Sequence, residues 1–81
     1  MPVVQTSLST VLTRFPDHKE TIKRLFKEKE TFQSLCEDYR RCAKALKYWN
    51  QSVTEEAPGR REEYEMLIRD LADEILQNLK E

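Results

Sequence analysis

The chain has 81 residues, of which 36% are charged and 38% hydrophobic, and its formal net charge is −1. A chain this short forms one domain with a modest core, and its balanced charge predicts no general attraction to nucleic acid or anionic lipid. One glycine and three prolines are too few for the frequent turns of a sheet protein. The composition therefore predicts a single all-α domain over residues 1–81.

The first predicted element is a short amphipathic helix at about residues 6–14. Its apolar residues follow the i, i+3, i+4, i+7 spacing of one helix face: Leu8, Val11, Leu12 and Phe15. A residue that precedes a proline avoids the helical conformation. Because Pro16 follows Phe15, the first helix is expected to end there.

The second predicted element is a long helix at about residues 16–50, which Pro16 is well suited to open. Apolar residues recur in it at steps of three and four, with one gap at Lys29: Ile22, Leu25, Phe32, Cys36, Tyr39, Ala43 and Leu46. This spacing is typical of a coiled-coil seam, and a flanking row widens it: Leu35, Cys42 and Trp49. We expect the helix to run without interruption.

A turn is predicted at about residues 51–58, followed by a second long helix at about residues 59–80. The segment "NQSVTEEAPGRRE" contains the turn-forming residues, and a broad apolar stripe from Tyr64 to Leu79 follows it. A short connection between two amphipathic helices favours an antiparallel helical hairpin. Residues 14–50 hold ten basic and six acidic side chains, whereas residues 59–81 hold four basic and seven acidic ones. The two long helices thus carry opposite net charges, which favours their pairing.

The two long helices differ in length, and this difference bears on self-association. The second helix, about 33 Å long, would leave Ile22, Leu25 and Phe26 uncovered. Either the N-terminal helix or a second copy of the chain must then cover them. We expect a homo-oligomer, and the candidate interface residues are Ile22, Leu25, Phe26, Phe32, Leu35, Tyr39, Leu46 and Trp49.

The two cysteines, Cys36 and Cys42, lie six residues apart on the long helix. Six helical residues span about 9 Å of rise and about 120° of rotation, too far for a disulfide between them or a shared metal ion. His18 is too distant to act as a base or a further ligand. Both cysteines are therefore expected to be packing residues, with a redox-sensitive contact between copies as a minor alternative.

Basic residues form a ridge on the first part of the long helix: Lys19, Lys23, Arg24 and Lys27. Such a ridge could face phosphates of nucleic acid. Acidic residues are interleaved with it, and Glu20 can pair with Arg24 at i+4 spacing. A solvated helix face is the favoured interpretation, and nucleic acid is the weaker one.

No catalytic residues, no cofactor-binding residues and no metal ligands emerge from the sequence, so we do not expect an enzyme. No apolar run approaches the roughly 20 residues of a membrane-spanning helix. The N-terminal segment does not have the pattern of a secretory signal. The expected location is the cytoplasm, without membrane association.

The pattern "FPDH…I…L…F…L…Y" followed by "EEYEMLIRDLADEI" resembles the YdcH-like family of short bacterial proteins, a domain of unknown function. The resemblance runs from about Leu12 to Leu79 and rests mainly on hydrophobic positions, with Phe15, Pro16 and His18 at its start. It implies a helical hairpin in a bacterial cytoplasm. It implies no catalytic residue, because the family has no established activity.

These observations predict a non-enzymatic, self-associating protein–protein interaction module with an unknown protein partner. The alternative is a nucleic-acid-binding accessory protein that uses the ridge between Lys19 and Lys29. A switch that cross-links copies through the thiols is a third and more distant class.

Overall fold

The computed structural model describes the backbone of residues 3–80 and the side chains of residues 7–80. Within that range the chain is all-α, as its composition predicted, and contains no strand. The helices are α1 Val3–Arg14, α2 Lys19–Glu28, α3 Glu30–Gln51 and α4 Ala57–Leu79, with a 3-10 turn, Pro16–His18, between α1 and α2. None of these helices has both the length and the apolarity needed to cross a membrane.

Helix α1 ends where the proline predicted that it would. Phe15 leaves the helical region, with φ −126° and ψ 67°, while its N–H still donates to the carbonyl of Val11 at 3.0 Å. The Phe15 ring is buried, and the guanidinium carbon of Arg14 lies 5.2 Å from its centroid. The predicted helix 6–14 is thus present and begins earlier, at Val3.

The prediction of one uninterrupted helix over residues 16–50 is wrong. Lys29 is extended, with φ −125° and ψ 116°, and it separates α2 from α3. No glycine or proline lies near this break, and lysine is a good helix former. The break therefore has no local signal in the sequence, and it accompanies the packing of α2 against α1 and α3, where Ile22 and Phe26 are buried.

The antiparallel hairpin of α3 and α4 is confirmed. Its turn covers residues 52–56, within the predicted 51–58, and α4 begins at Ala57 with Pro58 in its first turn. In the turn, the Thr54 N–H donates to the Ser52 hydroxyl oxygen at 3.3 Å, and the Ala57 N–H donates to the Thr54 carbonyl at 3.2 Å. The second helix predicted at residues 59–80 corresponds closely to Ala57–Leu79.

Helix α3 is the centre of the fold, and α1, α2 and α4 all pack against it. The buried cluster draws on every helix: Val11, Phe15, Ile22, Leu25, Phe26, Phe32, Cys36, Tyr39, Ala72, Ile75 and Leu79. Of the two ways proposed for covering Ile22, Leu25 and Phe26, the structure shows the first. The N-terminal helix of the same chain takes part in covering them.

Candidate interaction surface

The eight candidate interface residues fall into two groups. Five of them lie in the core of the single chain: Ile22, Leu25, Phe26, Phe32 and Tyr39. Because these side chains are already buried in the core cluster of the single chain, they offer no surface to a partner in this conformation. The structure therefore places these five side chains in the core of the single chain, and they contact a second copy only if the chain changes conformation.

The other three candidates, Leu35, Leu46 and Trp49, are half-buried. Leu35 packs against the core, whereas Leu46 and Trp49 lie outside the core cluster. Both belong to the part of the hairpin that α1 and α2 leave uncovered. The structure thus moves the candidate surface toward the turn between α3 and α4.

We call residues 40–67 the distal hairpin: α3 after Tyr39, the turn, and α4 up to Leu67. Only Ala57 is buried there. Among the described side chains, every exposed large hydrophobic residue lies in this segment: Tyr48 (63% exposed), Val53 (99%), Met66 (58%) and Leu67 (47%). Apolar side chains concentrated on one part of a surface are typical of interaction sites.

An aromatic pair occupies the end of α3, next to the turn. The rings of Tyr48 and Trp49 lie 5.0 Å apart between centroids at an angle of 84°, which is the favoured edge-to-face arrangement. The guanidinium of Arg61 on α4 donates to the carbonyl of Trp49 at 3.5 Å. Two large, partly exposed aromatic side chains thus lie together at the tip of the hairpin, and aromatic residues are enriched among interface anchors.

Charged side chains surround the apolar positions of the distal hairpin. Helix α3 contributes only basic ones there, Arg40, Arg41, Lys44 and Lys47, whereas α4 contributes Arg60 and Arg61 followed by Glu62, Glu63 and Glu65. The ion pairs Arg41–Glu37 (2.9 Å) and Arg60–Glu63 (3.3 Å) lie at the surface, where such pairs add little stability. Most of this charge is therefore free to orient a partner.

The basic ridge lies on α2 and is exposed. Its four side chains, Lys19, Lys23, Arg24 and Lys27, are exposed, and none forms an ion pair with another described residue. The pairing of Glu20 with Arg24 expected from the sequence does not form. Two members of the ridge, Lys19 and Lys23, line an open groove of about 410 Å³ between α1 and α2, together with Leu8, Ser9, Leu12, Thr13 and Pro16.

Both cysteines are free thiols, in agreement with the packing interpretation. Burial raises the pKa of the Cys36 thiol to about 12. Partial burial, with the negative charge of Asp38 second, raises the pKa of Cys42. Raised pKa values favour the protonated, unreactive thiol.

Over the described part of the chain, no three His, Cys, Asp or Glu side chains converge as metal ligands.

Sequence reasoning did not identify as a surface the four large hydrophobic residues that are exposed among the described side chains. Tyr48 and Met66 lie off the apolar stripes of their helices, and Val53 lies in the turn. An apolar residue at such a position is expected to be exposed, and this signal could have identified the three as surface residues. Leu67 belongs to the stripe of α4, and its exposure was not predictable from periodicity.

Comparisons with protein-family models, curated proteins and solved structures gave no significant match for this chain.

Proposed function

We propose that this protein is a non-enzymatic, self-associating protein–protein interaction module, and that the distal hairpin is the surface it offers to partner proteins. The observation that carries the proposal is the position of Tyr48, Val53, Met66 and Leu67, all beyond the core and all exposed. Covering such side chains is favourable by about 25 cal/mol for each Å² of apolar surface removed from water.

The partner element is an amphipathic helix that packs along the distal hairpin. Two paired helices leave part of their apolar faces open, and a third helix can cover them by the same side-chain packing that builds helical bundles. The basic residues of α3 and the glutamates of α4 flank this face on opposite helices. Their opposite charges favour one direction of the incoming helix over the other.

The test is a pull-down with the full-length chain as bait, under reducing conditions and after nuclease treatment. The double variant Tyr48→Ser/Leu67→Ser removes two exposed apolar side chains, so its partner should be lost while its thermal unfolding stays near that of the wild type. Lys23→Glu, on the opposite part of the molecule, is the matched control and should retain the partner. A partner recovered equally by the double variant would contradict the distal surface.

Membership of the YdcH-like family, with a bacterial cytoplasmic location, remains part of the proposal. The helical hairpin of α3 and α4 supports it. Since that family has no established activity, the resemblance adds no reaction and no ligand.

A nucleic-acid-binding accessory protein is the second candidate function. It is supported by the four exposed basic side chains of α2 that form no ion pairs with described residues. Binding of this kind weakens steeply with salt, because neutralising phosphates releases counterions. Fluorescence anisotropy with a labelled single-stranded or duplex probe should then show strong salt dependence and a loss on Lys23→Glu. Binding unchanged by this substitution would exclude the ridge.

A further inference from the structure

The break between α2 and α3 is confined to a single residue. The N–H of Lys29 still donates to the carbonyl of Leu25 at 2.8 Å, as the end of α2, and the N–H of Gln33 donates to the carbonyl of Lys29 at 3.2 Å, as the start of α3. Residues 27–31 are all exposed. No core side chain at the break itself therefore opposes a change in its conformation.

Three backbone hydrogen bonds are given up at this break. In a continuous helix the N–H groups of residues 30, 31 and 32 would donate to the carbonyls of residues 26, 27 and 28, and each bond spans Lys29. Within residues 3–80 none of these three bonds forms, since Lys29 is extended. The carbonyl of Phe26 accepts from the side-chain amide of Gln33 instead.

What keeps the chain bent is the burial of α1 and α2 against the hairpin. Merging α2 and α3 would give a helix of residues 19–51, about 50 Å long. This length exceeds the 42 Å longest dimension of the folded chain. A straightened helix extends beyond its own hairpin, so α2 leaves the face of α3 on which it packs in the bent chain and uncovers that part of the core.

We infer that two copies of this chain exchange their N-terminal units, residues 3–28, through this break. In the exchanged dimer α2 and α3 form one helix, and α1 and α2 of each copy cover the hairpin of the other. The core contacts of Ile22, Leu25 and Phe26 are then made to the other copy, and each chain regains the three backbone bonds while it loses the hydrogen bond from Gln33 to the carbonyl of Phe26. Such an exchange is a low-cost route to a dimer, and a short hinge favours it.

This exchange gives a mechanism to the self-association proposed above, and it does not depend on the distal hairpin. The partner is a second copy, because only the same N-terminal unit carries the side chains that fit the uncovered core face. The apolar spacing of residues 16–50, continuous except at Lys29, is the pattern that the merged helix needs.

The substitution Glu30→Pro separates the two states. In the bent chain, residue 30 is the first residue of α3, where proline is favoured, and Lys29 already has the extended conformation that proline imposes on its predecessor. In the merged helix the same proline removes a backbone bond and clashes with the preceding turn. Glu30→Ala removes the same carboxylate and permits both states, so it is the matched control.

The experiment is to unfold and refold the full chain at low and at high protein concentration and to measure its mass by light scattering after size exclusion. The wild type and Glu30→Ala should form a dimer at high concentration, and Glu30→Pro should stay monomeric with the same helix content by circular dichroism. A wild type that is monomeric throughout, or a Glu30→Pro chain that dimerises as the wild type does, would overturn the exchange.

A second variant keeps the test valid if Glu30→Pro does not fold. Lys29→Gly is compatible with the extended conformation that residue 29 has in the bent state. In the merged helix glycine is a poor helix former in both copies, so the dimer dissociation constant should rise about tenfold. The double variant Tyr48→Ser/Leu67→Ser should leave this dimer intact. A dimer lost in that double variant but unaffected by Lys29→Gly would show association through the distal hairpin, and the exchange would be wrong while the proposed function stood.

Discussion

The side-chain amide of Gln33 donates a hydrogen bond to the backbone carbonyl of Phe26, across the break between α2 and α3. The last carbonyls of a helix have no partner within it, and those near the core need one from elsewhere. Gln33 is half-buried and supplies that partner for Phe26. One polar side chain thus favours the bent conformation over the straight one.

Replacing Gln33 with alanine should lower the free energy of unfolding of the monomer by about 1 kcal/mol, because the Phe26 carbonyl loses its partner. Urea unfolding at low protein concentration measures this change. Ser34→Ala, at the exposed neighbouring position, should have a smaller effect and serves as the control. Equal stability of the wild type and Gln33→Ala would mean that this hydrogen bond does not stabilise the bend.

The burial of Ile22 makes a sharp prediction about α2. Its side chain is fully inaccessible, so Ile22→Val should reduce the free energy of unfolding by about 1 kcal/mol through the loss of one buried methyl group. The neighbouring exposed substitution Lys23→Ala should change it by less than about 0.5 kcal/mol. Thermal unfolding of both variants provides the comparison. If Ile22→Val had no effect, α2 would not be packed on the hairpin.

Gly59 lies in the first turn of α4, and its φ is not positive. A Cβ added there would have no atom within 4 Å, so nothing resists a side chain. Gly59→Ala should therefore stabilise the chain by up to about 1 kcal/mol, since glycine is a poor helix former. Gly59→Thr should gain less, because threonine is a weaker helix former than alanine. A loss of stability on Gly59→Ala would place Gly59 in a turn and not in α4.

The two thiols should differ in their reaction with iodoacetamide. The thiolate is the reacting species, and Cys36 is both inaccessible and raised in pKa to about 12. Cys42 is half-buried and should be alkylated first in the native chain, as intact-mass spectrometry of the Cys36→Ala and Cys42→Ala variants can show. In denaturant the two thiols should react at similar rates. Faster native alkylation of Cys36 would contradict its burial.

Cys36 also predicts a loss of stability at alkaline pH. Its pKa is about 12 in the folded chain, above the ordinary value of 9.0 that applies when the chain is unfolded. Between these values the unfolded chain releases a proton that the folded chain retains, so unfolding is favoured by about 1.4 kcal/mol for each pH unit above 9. Below pH 9 the group contributes no slope. The difference between the wild type and Cys36→Ala isolates this effect from other titrating groups, and parallel curves for the two chains would contradict it.

Most helix positions could be predicted from local signals. Pro16 ends α1, the apolar stripe from Tyr64 to Leu79 gives α4, and the turn residues around Ser52 separate the two hairpin helices, as the structure confirms. The break at Lys29 could not be predicted in this way. A lysine among charged helix formers carries no signal for an extended conformation, and the cause lies in contacts made elsewhere in the chain.

The candidate interaction surface was also only partly predictable from the sequence. Periodicity identified Phe32 and Tyr39 as members of one apolar seam with Trp49 in a row beside it, and Phe32 and Tyr39 are indeed buried. It did not show that α1 and α2 would cover the first part of the face and leave the distal part open.

The sequence by itself therefore determined an all-α hairpin with a short helix before it, because helical spacing and prolines act over a few residues. Only the tertiary structure decided where the long helix breaks and which apolar residues become core or surface. The reason is physical: a helical pattern defines which side chains share a face, whereas burial depends on which distant segment packs on that face.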